Sequence, residues 1–265
     1  MFLRSLYALL LIISYALAVR SPAHSDDALV PAISVGGVQH FEVWAGGDGG
    51  ADSLSVYSGI VAALFGDVRR DGWRVRLDGG YGVYGFNRPP DQWFSGGLKD
   101  VRFRGWTGYG DILLGYQKAL GPLIVKVYGG WTEETGAVRV ANDSGQGGGQ
   151  APALEAENRN GRGLKGILET WLRLDDWGFL QADVSWSAPE SRYSGRSRFG
   201  YRLNGSWSLG PEAAIYGSRD YDGGRLGGFV RLEGKLGEIS LAAGVARDQE
   251  GWAGGYGSIA ALMRF

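Results

Sequence analysis

The sequence predicts an all-β protein: a transmembrane, up-and-down antiparallel β-barrel of about twelve strands behind an N-terminal signal peptide. Three observations predict it. Through most of 38–265, apolar or glycine residues on one parity alternate with polar or charged residues on the other. Most of these runs reach the ~9–11 tilted residues that a membrane-crossing strand needs. Short links and longer ones also alternate along the chain, as in bacterial outer-membrane barrels.

Residues 1–25 have the form of a signal peptide, with Arg4 ahead of an apolar run from Leu6 to Ala18 broken only by Ser14. Cleavage is expected after Ala18 or after Ser25. Residues 26–37 are expected to be a flexible N-terminal segment and 38–265 the barrel. Period two sets strands near 38–46, 54–66, 73–86, 104–117, 122–131, 161–174, 178–188, 192–204, 206–217, 224–236, 239–247 and 255–265. In the third, Trp73, Val75, Leu77 and Tyr81 face lipid while Arg74, Arg76 and Asp78 face the lumen; a helix would scatter these charges around its circumference.

The short links are Asp67 to Gly72, Lys118 to Gly121, Asp175 to Trp177, Asn204-Gly205 and Gly237-Glu238, against longer ones at Asn87 to Phe103 and Thr132 to Asn160. With both termini periplasmic, every short link is periplasmic too. Asn204-Gly205 has the residue types of a type I′ turn, and Asp48, Asp52 and Asp67 those of turns.

Composition removes other classes. There are 47 glycines without a collagen period, only 8 prolines, and 44% hydrophobic residues, which excludes a disordered or fibrous chain. A net charge of -1 lacks the basic footprint of a nucleic-acid binder, so no nucleic-acid partner is expected. No cysteine is present. Of the two histidines, His24 belongs to the removed segment or its border, and no Ser or Asp can be assigned to His40 by spacing. The chain therefore reads as no enzyme, with no metal and no cofactor. Gly145 to Gly149 lacks the strand, helix and lysine of a phosphate cradle.

The candidate site is the inward parity of the wall: Arg74, Arg76, Tyr84, Tyr109, Lys126, Tyr128, Lys165, Glu169, Arg196, Arg198, Arg202, Glu212, Arg225 and Arg231. The signs are mixed, which fits either a salt-bridged plug of side chains or a narrow polar pore or saccharide path. In the second case arginines donate to hydroxyls, and tyrosines, Tyr216 included, offer stacking faces. Trp44, Trp73, Trp106, Trp131, Trp186 and Trp207 stand near strand ends as an interface girdle. The chain closes with Ile259, Ala261, Met263 and Phe265 on one parity, the terminal aromatic being the assembly signal. Expected partners are outer-membrane lipid and the barrel assembly machinery, with the barrel a monomer.

Several segments carry a likeness: Trp44-Ala45-Gly46 before Leu54 to Gly59, Asp71-Gly72-Trp73 leading to Tyr81 to Tyr84, Leu114 to Gln117, Gly163 to Gly166 before Glu169, Leu209 to Ala213, Arg225 to Phe229, and Tyr256-Gly257. Leu209 to Ala213 is the most specific, since proline inside a strand is unusual. Along most of its length after the signal peptide the chain resembles the BcsS family of cellulose biosynthesis proteins. The resemblance implies an accessory part in making or exporting cellulose or a related exopolysaccharide, as a scaffold or conduit, beside cellulose or cellulose-synthase accessory proteins. It brings no catalytic residue. The alternatives are a narrow outer-membrane channel for small solutes or oligosaccharides, and a lipid-modifying outer-membrane enzyme.

Overall fold

The computed structural model describes residues 38–88, 101–140, 157–219, 221–248 and 253–265, and the expected segments 1–25 and 26–37 lie outside these. The described residues form twelve strands: β1 (Phe41–Gly50), β2 (Ser53–Ala63), β3 (Gly72–Arg88), β4 (Val101–Leu120), β5 (Leu123–Val140), β6 (Glu157–Leu174), β7 (Gly178–Ser187), β8 (Arg192–Arg202), β9 (Trp207–Gly217), β10 (Asp222–Glu233), β11 (Gly237–Asp248) and β12 (Ala253–Arg264). Each pairs antiparallel with its sequence neighbours, and β1 closes on β12.

Paired residues trace a line from Asn160 through Thr135, Gly108, Tyr81, Val56, Gly47, Ile259, Leu241, Val230, Leu209, Tyr201 and Gly178, which returns to β6 at Leu174. That offset of fourteen residues over twelve strands, at ~3.3 Å rise and ~4.8 Å spacing, gives a tilt of about 40° and a backbone radius of about 12 Å. Facing side chains can meet across such a lumen.

The outer surface carries Trp73, Leu77, Tyr81, Ile112, Val127, Leu164, Leu226, Val245 and Ile259, all exposed, while Arg74 on the opposite parity is fully buried. An outer apolar belt on a closed sheet, with every strand hydrogen-bonded on both sides, is the arrangement that lipid permits. Period two therefore reports the two media correctly.

Strands β3 to β6 run for 17, 20, 18 and 18 residues, whereas the others have 10 to 12. The nine strand residues of β5 beyond Trp131 rise about 20 Å at this tilt. A wall of four strands thus overtops the rest at the end opposite the termini. This corrects the longer links expected at Asn87 to Phe103 and Thr132 to Asn160, because both ends of each are strand.

Two turn expectations change. Gly237 and Glu238 are paired residues of β11, and the link is Gly234 to Leu236. Asn204-Gly205 is not a type I′ turn, since neither residue has positive φ. Instead Asn204 Oδ1 accepts from the amides of Ser206 and Trp207, both at 2.9 Å, so its side chain closes a four-residue link. Gly121 does need its freedom: at φ 64 it fills the first central position of the two-residue link between β4 and β5.

Candidate functional site: the barrel lumen

Strand parity points all fourteen lumen candidates inward, and the contacts show what they meet. Arg76 on β3 bonds Glu169 on β6 at 2.5 Å and also holds Asp78 beside it. Lys126 on β5 reaches Glu42 on β1 at 3.5 Å and Glu169 at 3.7 Å. Arg198 pairs with Glu212 at 2.5 Å and donates to Ser240 Oγ at 3.0 Å, while the Tyr256 hydroxyl donates to Glu212 at 3.1 Å. Arg196 pairs with Asp183 at 2.8 Å and Arg225 with Asp48 at 2.8 Å; Lys165 pairs with Asp111, and Arg231 with Glu233. Arg202 has an inward position near the base, with Arg173 and Asp176 as charged neighbours, and its Nη2 has no hydrogen-bond partner among the described residues. Several of these pairs cross the lumen instead of joining neighbouring strands.

Aromatic rings fill the space between the charges. Arg76 lies 4.7 Å from the Trp44 ring and 5.4 Å from Tyr128, Arg198 4.8 Å from Phe229, and Arg231 4.5 Å from Trp171 and 4.6 Å from Phe179. Trp171 stacks on Phe179 with centroids 4.1 Å apart. Two apolar clusters result, one of Val61, Val68, Leu113, Tyr128 and Ile167, the other of Phe179, Phe229, Ala242 and Tyr256. They fill part of the lumen at its middle and base. A cavity of about 90 Å³, lined by Lys126, Glu169, Trp171, Gln181 and Asp183 among others, has room for a few waters.

The base is closed by the β2–β3 link. Val68 is buried within the first cluster, and the fully buried Arg74 donates to the carbonyls of Val68, Arg70 and Gly72. Gln117 donates to the carbonyls of Arg69 and Arg70 at 3.0 and 3.3 Å. In this link the Arg69 side chain, hydrogen-bonded at 2.6 Å, holds the Asp67 carboxyl down at about 2. At the other end the β7–β8 link folds over the inner face of β6, with buried Pro189 seated where a Cβ on Gly161 or Gly163 would stand. Glu134 accepts from Ser187 Oγ at 2.9 Å and pairs with Arg192 at 3.2 Å.

Trp44 is not part of the girdle. It shares the inward parity of Glu42 and Asp48, and its ring occupies the space that a Cβ on Gly59 would need. Trp73, Trp131, Trp186 and Trp207 do face outward and are exposed; Trp106, also outward, stacks on Tyr81 at 5.9 Å. Asp48 is likewise a strand residue paired to Arg225, not a turn residue. Sequence reasoning missed Glu42, Glu134, Trp171, Phe179 and Phe229 as inward partners. Their parity was available, yet a lone acid or ring on that parity shows its role only once the opposite wall is known. Among the described residues no three potential metal ligands gather.

No curated protein matches the chain in sequence. Among solved structures, the CymD monoaromatic hydrocarbon channel superposes with a TM-score of 0.46 at 8% identity over 86% of this chain and 89% of its own. The KdgM porin in complex with disordered oligogalacturonate gives 0.48 at 8% over 84% and 99%, and the translocator domain of the autotransporter NalP from Neisseria meningitidis gives 0.48 at 12% over 88% and 91%. At such levels the barrel is defined by its own strand register and not by these likenesses. The family model described as cellulose biosynthesis protein BcsS matches residues 43–265, nearly the whole barrel, and the chain belongs to that family.

Proposed function

We propose that this protein is a closed, non-catalytic scaffold of the bacterial outer membrane that serves cellulose production, with both termini on the periplasmic side. The observation that carries this reading is the packed lumen: ion pairs crossing it, two apolar clusters within it, and a link folded into its base. A conduit for a polymer needs an open bore, and these side chains occupy it. The short links at the end that bears the termini support the orientation. Phe265, whose amide bonds the Phe41 carbonyl at 2.9 Å across the β1–β12 seam, is the residue that the assembly machinery would engage.

The test has two arms. Purified barrel in planar bilayers should show no stable ion conductance, and a deletion strain should secrete less cellulose until complemented. Replacing Arg196, Arg198 and Arg202 together by Gln should then reduce assembled barrel before it reduces cellulose per assembled barrel. Steady conductance by the wild type would favour the channel for small solutes instead, and unchanged cellulose in the deletion strain would remove the role altogether.

A further inference from the structure

On the outer face of the tall wall two arginines stand directly opposite one another. Arg104 of β4 and Arg139 of β5 are register partners on the outward parity of Trp106 and Trp131, and both are exposed. Like charges so placed, with Cβ atoms ~4.5–5.5 Å apart, destabilise a sheet unless something answers them. Among the described residues nothing does, since neither side chain has an ion pair or a hydrogen bond. On its other side Arg104 faces Gly85 of β3. Asp52, whose carbonyl accepts from the Gly85 amide at 2.8 Å, is a further strand away, about 10 Å across the sheet from Arg104. Glu133, lower on β5, is already held by Arg162 at 2.8 Å. In the lumen, by contrast, Arg76, Arg196, Arg198 and Arg225 each meet a carboxylate.

The height of the pair selects its counter-ion. Arg139 is eight residues up β5 from Trp131, a rise of about 20 Å at the barrel's tilt, and Arg104 lies about 3 Å lower. Trp131 and Trp186, exposed on the outer surface, mark the headgroup level on this flank. A phospholipid headgroup layer is only ~5–8 Å deep, so its phosphates lie well below the two guanidiniums. A glycolipid whose sugars carry phosphate extends further and brings anions to their height. Two planar forks side by side match the free oxygens of a sugar phosphate. Beneath them the stacked Tyr81 and Trp106 rings, 5.9 Å apart, carry the apolar outer face up to the pair. We propose that Arg104 and Arg139 form an outer-wall site for a phosphorylated sugar of a membrane glycolipid of the lipopolysaccharide class. This rests on the proposed orientation, which puts the tall wall outside the cell.

Rough-type lipopolysaccharide with a phosphorylated inner core is the probe, added to the purified full-length barrel in detergent and read by native mass spectrometry. The wild type should retain it at least tenfold better than the same lipopolysaccharide stripped of phosphate, and at least tenfold better than phosphatidylglycerol. Arg104→Gln and Arg139→Gln should each weaken retention at least tenfold, while Arg162→Gln, whose charge Glu133 already answers, should change it less than threefold. Should a glutamine variant fail to fold, as judged by heat-modifiable gel mobility, Arg104→Lys keeps the charge but loses the fork and should weaken retention several-fold. Equal retention of the stripped lipid or of phosphatidylglycerol, an equal loss in Arg162→Gln, unchanged retention in the variants, or full displacement by millimolar inorganic phosphate, which would mark a site for the free ion, would overturn the proposal. Failure of the orientation is read separately. The chain has no cysteine, so Arg219→Cys, in the link after β9, should take an impermeant maleimide on intact cells, and protection there would sink the orientation whatever the purified barrel binds.

Discussion

Removing Arg198 alone should cost far more than removing it together with Glu212. Its side chain is 7% exposed and that of Glu212 2%, and the two meet at 2.5 Å, so Arg198→Leu strands a carboxylate in a dry lumen. Breaking one side of a buried pair costs about 3–5 kcal/mol. The Tyr256 hydroxyl, still donating to Glu212 at 3.1 Å, returns about 1 kcal/mol of that, while loss of the Ser240 bond removes a similar amount. The net remains about 3–5 kcal/mol, a factor of several hundred or more in the folding equilibrium. The double variant Arg198→Leu with Glu212→Leu leaves two hydroxyls short of partners and no bare charge, at about 2 kcal/mol. Reversible urea unfolding in lipid vesicles, followed by tryptophan fluorescence, measures both. A coupling energy below about 1 kcal/mol, or a double variant less stable than Arg198→Leu, would refute the assignment of this pair to the sealed region.

Gly200→Ala should destabilise by about 1–3 kcal/mol in the same assay, since its Cβ would strike the fully buried Phe179 ring that is stacked on Trp171; a neutral result would show that the ring has room to move. The Asp67 carboxyl, held at about 2 against an ordinary 3.8 by the Arg69 hydrogen bond, contributes about 2 kcal/mol that is complete above pH 4 and lost as pH falls towards 2. Asp67→Asn should flatten the acid limb of the stability profile over that window, and an unaltered limb would count against it. Brominated lipid should quench Trp73, Trp131 and Trp186 and spare Trp44, as read in single-tryptophan variants, because only the last lies inside the wall. Deleting Phe265 should lower the amount of heat-modifiable barrel in membranes more than it lowers synthesis; equal amounts would show that the β1–β12 seam closes without it.

The strand count and the inward or outward sense of nearly every strand follow from period two, because lipid and lumen impose opposite demands on successive residues. The rule weakens where the medium changes. Glu133 and Thr135 continue β5 beyond the apolar belt with polar side chains on its outer face, so the apolar parity disappears and Thr132 to Asn160 looks like a loop. Trp44 misleads for a related reason: near a strand end a tryptophan suits the interface and the lumen alike, and parity with Glu42 is what decides. The cross-lumen partnerships, such as Lys126 with Glu42 or Arg231 with Trp171, join strands four places apart around the barrel and leave no trace in local spacing.

The four tall strands make the opening at the end opposite the termini oblique. One third of the circumference stands about 15 Å higher than the remainder by the strand register and tilt, so among the described residues the mouth is cut like a scoop and faces sideways, away from β3 to β6. Among the described residues the rim is low along β7 to β12, β1 and β2, so the barrel presents a tall side and a low side to whatever approaches it in the plane of the bilayer.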